Sequence, residues 1–212
     1  MDIYKKLKTE VLHANFMWIT FRDVFAVDEP TTELLANSGI NFFSTTQNLF
    51  LKDILSSLFK LTDTSPKKES QDLEQLVFLA RQSGHHELGE RLDQRCQHIA
   101  SVCSETLMSF AEGRIAHIDM KHAINQEHSD LLESVYLPIE TLLGLINDYM
   151  NAYESALHIP HTSYDAIFCN PKYCGDMLIR SLKIARAAEH ILEEDRLDAM
   201  GVSEHEAMAI KL

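Results

Sequence analysis

Apolar residues recur every three or four positions along most of the chain, and this spacing constrains the fold more than any other feature. The first such stretch contains Ile3, Leu7, Val11, Ala14, Trp18, Phe21 and Phe25. At 3.6 residues per turn, these residues lie on one side of a helix of about six turns. Later stretches with the same spacing cover residues 41–61, 73–80, 88–110, 132–157 and 178–192. No run of useful length alternates between apolar and polar residues as a strand would, so the sequence predicts an all-α fold.

Turn-forming residues divide these stretches. Thr31 or Thr32 is predicted to cap a short helix that stops at Ser38-Gly39, and Asn41 is predicted to cap the next long helix. Pro138 lies inside the stretch 132–157, where a proline removes one backbone donor and clashes with the preceding turn. We therefore expect a kink or a restart of the helix at this proline.

About five long helices with short connections predict an antiparallel helical bundle with a C-terminal helical extension. We place the bundle in residues 1–160 and the extension in residues 161–212. The last helix should turn inward the residues Leu178, Leu182, Ala185, Ala188 and Leu192. From residue 196 onward, two interpretations stay open: a frayed end, or an amphipathic helix that binds a partner.

Charge and cysteine content exclude several classes of protein. The chain has 32 acidic and 19 basic residues, a formal charge of -13, which opposes general binding to nucleic acid; any RNA contact must be local. Cys96 and Cys103 are seven residues apart, so they share a helix face and behave as small apolar residues. The sequence contains no CxxC pair, which is the spacing typical of a zinc site. We expect no cofactor, no membrane span and a cytoplasmic location.

One polar segment, residues 111–119, interrupts two long helical patterns and brings Arg114, His117 and Asp119 close together in sequence. Taken alone, these residues fit a structural role, because a His hydrogen-bonded to an Asp near a helix start is common. A positioned His also exchanges protons with a substrate, and an Arg binds phosphate. The rest of the chain decides between these interpretations.

Four features in this order and spacing carry a family resemblance. They are the aromatic first helix with Trp18, Phe21 and Phe25, the segment 41–43, the segment 61–63, and the segment 114–119. Together they resemble the AbiU-type branch of the HEPN superfamily, which includes proteins of abortive phage infection. The resemblance covers roughly residues 10–155.

This resemblance implies an all-helical, dimeric protein and, in many members, a metal-independent endoribonuclease of toxin or defence systems. The family signature is an Arg, a polar residue, three to five more residues and then a His, at the start of the penultimate bundle helix. His117 matches the signature His, and two such motifs facing each other across a dimer axis would form one composite site. Asp119 is placed to bias the tautomer or protonation of the imidazole ring.

The sequence departs from the signature at the Arg. Six residues before His117, where the family Arg is expected, the chain has Ala111, and the neighbouring polar position is Glu112. Alanine cannot bind a phosphate, and a glutamate repels it. Arg114, three residues before His117, shares a helical face with it and is the one substitute that we assign.

Three functional classes follow. The first expectation is a catalytically impaired, dimeric HEPN-like module of a phage-defence or toxin–antitoxin system that binds RNA or a protein such as an antitoxin. The first alternative is a metal-independent endoribonuclease that uses His117 with Arg114. The second alternative is an unrelated helical structural or interaction protein, in which His117 is a core or capping residue.

Overall fold

The chain folds into packed helices, as the apolar spacing predicts. The computed structural model describes residues 3–26, 28–63, 72–113, 127–166 and 174–199, without the side chains of 108–113, 127–134 and 193–199. Six helices lie in these ranges: α1 Ile3–Phe25, α2 Glu29–Thr62, α3 Glu74–Gln82, α4 His86–Gly113, α5 Glu127–Ala156 and α6 Gly175–Ala199. The described ranges contain no strand, so the all-α prediction is confirmed.

Helix α1 lies against three other long helices. It packs on α2, α5 and α6, while α4 packs on α3, α5 and α2. One apolar core joins these elements, and its fully buried members include Leu7, Phe21, Ile54, Leu58, Leu92, Ile99, Leu107, Leu142 and Ile146. Burying each such side chain contributes about 1.5–3 kcal/mol, so this core is the main stabilising term of the fold.

The start of α2 differs from the prediction. Asp28, and neither Thr31 nor Thr32, is the N-cap residue: its carboxylate accepts a hydrogen bond from the backbone N–H of Thr31 at 3.0 Å. The predicted break at Ser38-Gly39 is present as a kink, because two helical segments meet at Gly39 within the span of α2. Gly39 has a non-helical φ of 153° and ψ of 68°, which suit glycine, and the second segment continues to Thr62. Asn41 lies at a helical position two residues after this break.

Two other expectations concern helix interiors. Helix α5 runs through Pro138 as a single element, so the proline does not restart the helix. Cys96 and Cys103 of α4 are both buried, as predicted, and the Thr62 hydroxyl donates a hydrogen bond to the Cys103 sulfur at 3.3 Å. Burial raises the pKa of the Cys96 thiol to about 12, so this side chain stays protonated and behaves as a small apolar group.

Only the beginning of α6 packs against the bundle. A Cβ added at Gly175 would lie 2.7 Å from both Asp23 Cβ and Val24 Cγ2, so a glycine permits this close approach to α1. Ile179 is buried, and Leu182 packs partly against the core. The predicted inner face was therefore wrong at most of its positions: Leu178 is 43% exposed, Ala185 and Ala188 are exposed, and Leu192 is 67% exposed.

None of the helices in the described ranges has the length and apolar composition needed to cross a membrane.

Candidate functional site

The predicted catalytic residues lie between two helices that the structure describes. Arg114, His117 and Asp119 themselves fall outside the described residues, whereas Ala111 and Glu112 are helical positions in the last turn of α4. Helices α4 and α5 pack against each other, and residues 114–126 connect them. The geometry of the predicted His and Arg pair therefore stays a prediction.

A polar cleft between α1 and α5 is the best-defined candidate site among the described residues. Its volume is about 350 Å³, and the loop after α5 closes one end with Tyr164 and Asp165. The polar side chains along the two helices are Asn15, Arg22, Glu140, Asn147, Asp148 and Asn151. A cleft of this size is large enough for a small side chain or a fragment-sized ligand.

Two asparagines join the helices inside this cleft. The Asn15 amide donates to Asn147 Oδ1 at 2.9 Å, and the Asn147 amide donates back to Asn15 Oδ1 at 3.1 Å. Asn15 also donates to the backbone carbonyl of Val11 at 2.8 Å. Asn15 is buried, and each of its hydrogen bonds contributes about 0.5–1.5 kcal/mol, so this pair fixes the spacing of α1 and α5.

At the exposed edge, the Arg22 guanidinium donates to Glu140 at 2.7 Å. Both side chains are more than two-fifths exposed, so the pair contributes little to stability. Glu140, Asp148 and Asp165 give the cleft three carboxylates against the single guanidinium of Arg22. This charge disfavours a phosphate and favours a neutral polar or positively charged group.

Two buried polar atoms that line this cleft, and a third on a neighbouring ring, have no hydrogen-bond partner within the described part of the chain. They are Trp18 Nε1, Asn151 Oδ1 and the hydroxyl of Tyr136, whose ring lies 5.0 Å from that of Trp18. Buried polar groups are almost always paired, and leaving one unpaired costs about 1–3 kcal/mol. Trp18 and Asn151 both line the cleft, so an N–H donor and a carbonyl acceptor at its wall are left to bind another group.

A second cavity adjoins the cleft and lies between α4 and α5. Its volume is about 530 Å³, and Arg95, His98 and Ile99 of α4 form its outer wall. The Arg95 guanidinium donates to the backbone carbonyl of Asp148 at 3.2 Å. Asp148 and Asn151 line both cavities, so this part of α5 borders open space on two sides.

Next to the cleft, the fully buried Glu154 lies at the centre of a polar cluster. Its Oε1 accepts hydrogen bonds from the Tyr164 hydroxyl at 2.6 Å and the Tyr4 hydroxyl at 2.7 Å, and its Oε2 accepts one from the backbone N–H of Thr162 at 2.9 Å. The Lys8 amine lies 3.6 Å from Oε1 and donates to the Thr162 hydroxyl at 2.6 Å. Glu154 thus ties the loop after α5 to the start of α1.

The cluster also sets the protonation of its members. Burial alone raises the pKa of Glu154, but hydrogen bonds from Tyr164, Tyr4 and Thr162 outweigh burial, so the pKa lies below its usual value. Burial and the hydrogen bonds to Glu154 raise the pKa of Tyr4 and of Tyr164 far above the ordinary value. The carboxylate therefore stays charged and both phenols stay protonated near neutral pH.

The spacing of apolar residues alone does not predict this cluster or the cleft. One signal was present: Glu154 lies four residues after Met150 and three before Leu157, within the apolar stripe of α5. A carboxylate in such a stripe is either paired or functional. Nothing in the sequence pairs Asn15 with Asn147, because 132 residues separate them.

Comparison with protein-family models, with curated proteins and with solved structures gives no match for this chain. The HEPN resemblance consequently rests on the sequence features themselves.

Proposed function

We propose that the chain is a HEPN-like helical module of a prokaryotic phage-defence or toxin–antitoxin system in which catalysis is impaired, and that its role is to bind a macromolecule as a dimer. The observation that carries this proposal is the residue six positions before His117. It is Ala111, a helical position at the end of α4, in the place where the resemblance requires an Arg. Without that guanidinium, the motif lacks its main phosphate-binding group.

The helical architecture supports the proposal. The resemblance implies an all-helical fold with the motif at the start of the penultimate helix. The motif residues come between α4 and α5, and α5 is followed by α6 in the described part of the chain. This agreement concerns topology alone, since helical bundles host many activities.

Charge favours a protein partner over RNA as the bound macromolecule. The formal charge is -13, and the cleft between α1 and α5 carries three carboxylates against one guanidinium. Both features repel a phosphate backbone, whereas a Lys or Arg side chain of a protein partner would be attracted. RNA binding would have to use a local basic surface near the motif.

The alternative is a metal-independent endoribonuclease in which Arg114 replaces the missing Arg. In that mechanism, His117 exchanges a proton with the ribose 2′-oxygen or the leaving oxygen, Arg114 binds the phosphate as charge develops, and Asp119 orients the imidazole. The specific support is the three-residue spacing of Arg114 and His117, which places both on one face if the segment is helical.

A ribonuclease assay separates the two. Purified protein is incubated with a pool of structured and single-stranded RNAs in the presence of a chelator, and wild type is compared with His117→Ala. The proposal predicts no cleavage above the level of the variant. Cleavage that survives the chelator and disappears in His117→Ala would overturn the proposal in favour of the endoribonuclease.

A further inference from the structure

The polar cleft between α1 and α5 has one unpaired polar atom on each of its two helices. Trp18 of α1 is 4% exposed and lines the cleft, and its Nε1 has no hydrogen-bond partner among the described residues. Asn151 of α5 lines the same cleft, and its Oδ1 also lacks a partner there. A buried donor and a buried acceptor require partners, which are either ordered water or groups of a bound molecule.

Gly144 leaves open space in the same cleft. It lies in the interior of α5 and lines the cleft, and a Cβ added to it would meet no neighbouring group within 4 Å in the described part of the chain. Glycine is less favourable than alanine inside a helix, and no close approach of another element requires it here. The missing side chain therefore keeps open a space that the described residues do not fill.

The charges around the cleft favour a cation. Glu140 is already paired, since the Arg22 guanidinium donates to it at 2.7 Å. Asp148 and Asp165 are exposed, and the carboxylate of neither forms an ion pair or a hydrogen bond with another described residue. Arg95 donates to the backbone carbonyl of Asp148 rather than to its carboxylate. Two carboxylates without a cationic partner attract a positively charged group and repel a phosphate or a carboxylate.

We propose that this cleft binds an arginine side chain of a protein partner together with a carbonyl of the adjoining backbone. The guanidinium donates to Asp148, Asp165 and Asn151, and the carbonyl accepts the hydrogen bond of Trp18 Nε1. A guanidinium has five N–H donors in one plane, so a single group can serve several acceptors, whereas an ammonium has three. The cleft volume of about 350 Å³ suits one side chain with its flanking amides.

This inference deepens the proposed function, because the choice of a protein as the source of the guanidinium rests on it. A free small molecule with the same cationic group is the other source, and free arginine represents it in the test. Binding in the cleft requires neither RNA cleavage nor residues 111–119, which come before α5. The two proposals therefore fail separately.

Trp18 provides a direct signal for the test. It is the only tryptophan of the chain, so its indole N–H gives a single peak in a nitrogen–proton correlation spectrum. The full chain is titrated with N-acetyl-arginine amide, with its neutral analogue N-acetyl-citrulline amide, and with free arginine. N-acetyl-arginine amide should shift the indole peak to saturation, with a dissociation constant in the millimolar range. The citrulline analogue should bind at least about fivefold more weakly, because it lacks the charge.

Three results of the titration would contradict the proposal. An indole peak that does not move would overturn it and leave ordered water as the partner of Trp18 Nε1. Equal affinities for the charged and the neutral probe would show that the carboxylates do not select a cation. Free arginine that binds more tightly than N-acetyl-arginine amide would overturn the choice of a protein as the source of the group.

Variants within the cleft and matched controls outside it locate the binding. Gly144→Leu fills the open space and should weaken binding at least about tenfold, whereas Ala187→Leu, on the exposed part of α6, should not. Asp148→Asn should weaken binding about threefold, whereas Glu189→Gln removes an equal charge from an exposed position of α6 and should leave it unchanged. Circular dichroism verifies that each variant keeps its helical content. Binding that survives both cleft variants unchanged would overturn the proposal.

Discussion

Two polar regions lie side by side between α1 and the C-terminal part of α5, and they differ in how their hydrogen bonds are satisfied. Around Glu154, both carboxylate oxygens accept hydrogen bonds, from two phenols and from Thr162. In the adjacent cleft, Trp18 Nε1 and Asn151 Oδ1 have no partner within the described part of the chain. Tyr164 belongs to both regions, since it donates to Glu154 and lines the cleft.

The two regions therefore differ in whether their polar groups are used within the fold or are left to bind another molecule. A buried polar cluster with every member paired specifies one arrangement of its elements, which here fixes the loop after α5 on α1. A cleft with unpaired polar atoms retains capacity for a further hydrogen bond. We expect substitutions in the first region to destabilise the protein strongly, and substitutions of the unpaired groups in the cleft to change binding at little cost in stability.

The largest effect is expected at Glu154. Glu154→Ala leaves the hydroxyls of Tyr4 and Tyr164 and the backbone N–H of Thr162 without their acceptor, so the free energy of unfolding should fall by about 3–5 kcal/mol. Urea unfolding followed by circular dichroism measures it. Glu140→Ala is the control, because this glutamate is on the same helix but exposed, and it should cost less than about 1 kcal/mol. An equal decrease in unfolding free energy in both variants would show that the buried cluster contributes no more to stability than an exposed ion pair.

Two substitutions within the cleft distinguish its paired polar groups from its unpaired ones. Asn147→Leu leaves the buried amide of Asn15 without its partner and should lower the free energy of unfolding by about 1–3 kcal/mol. Asn151→Leu, one turn later, replaces an unpaired buried oxygen with an apolar group of similar size, so stability should stay within about 0.5 kcal/mol or rise. If Asn151→Leu is the more destabilising variant, the cleft is structural.

The smallest expected effect is a pH dependence. Folding lowers the pKa of Glu154, because its hydrogen bonds outweigh the effect of burial. A carboxyl with a lowered pKa stabilises the folded state above its unfolded value, 4.5, and loses this contribution as the pH falls through the folded pKa. The difference in unfolding free energy between wild type and Glu154→Gln should therefore be full at pH 7 and shrink below pH 4.5. If the difference in unfolding free energy instead grows as the pH falls, the pKa of Glu154 is not lowered by folding.

The sequence predicted the helices better than their junctions and surfaces. The stripe of α1 identified six of its eight buried residues because period and burial coincide there, but Ile3 is 36% exposed. The predicted break at Gly39 is present as a kink between two helical segments, whereas the predicted cap at Thr31 or Thr32 was wrong, because Asp28 caps the first segment. In α6, periodicity showed an apolar stripe but not which half meets the bundle, since the packing depends on Asp23 and Val24 of α1.

The candidate sites show a similar limit. Motif spacing identified His117, Arg114 and Asp119, which lie outside the described residues, so their geometry stays a prediction. The cleft and the Glu154 cluster join Asn15 to Asn147 and Tyr4 to Glu154 across 132 and 150 residues, respectively. Such pairs come from tertiary packing, and local spacing contains no information about them.

If Ala111 is the reason for impaired catalysis in a HEPN-like motif, as we propose, restoring the Arg should restore RNA cleavage. Wild type, Ala111→Arg and Ala111→Arg with His117→Ala are compared for RNA cleavage in the presence of a chelator. We expect no cleavage by wild type, a gain of at least about 100-fold over background in Ala111→Arg, and loss of that gain in the double variant. Cleavage by wild type that depends on His117 and does not increase in Ala111→Arg would show that the missing Arg does not limit catalysis.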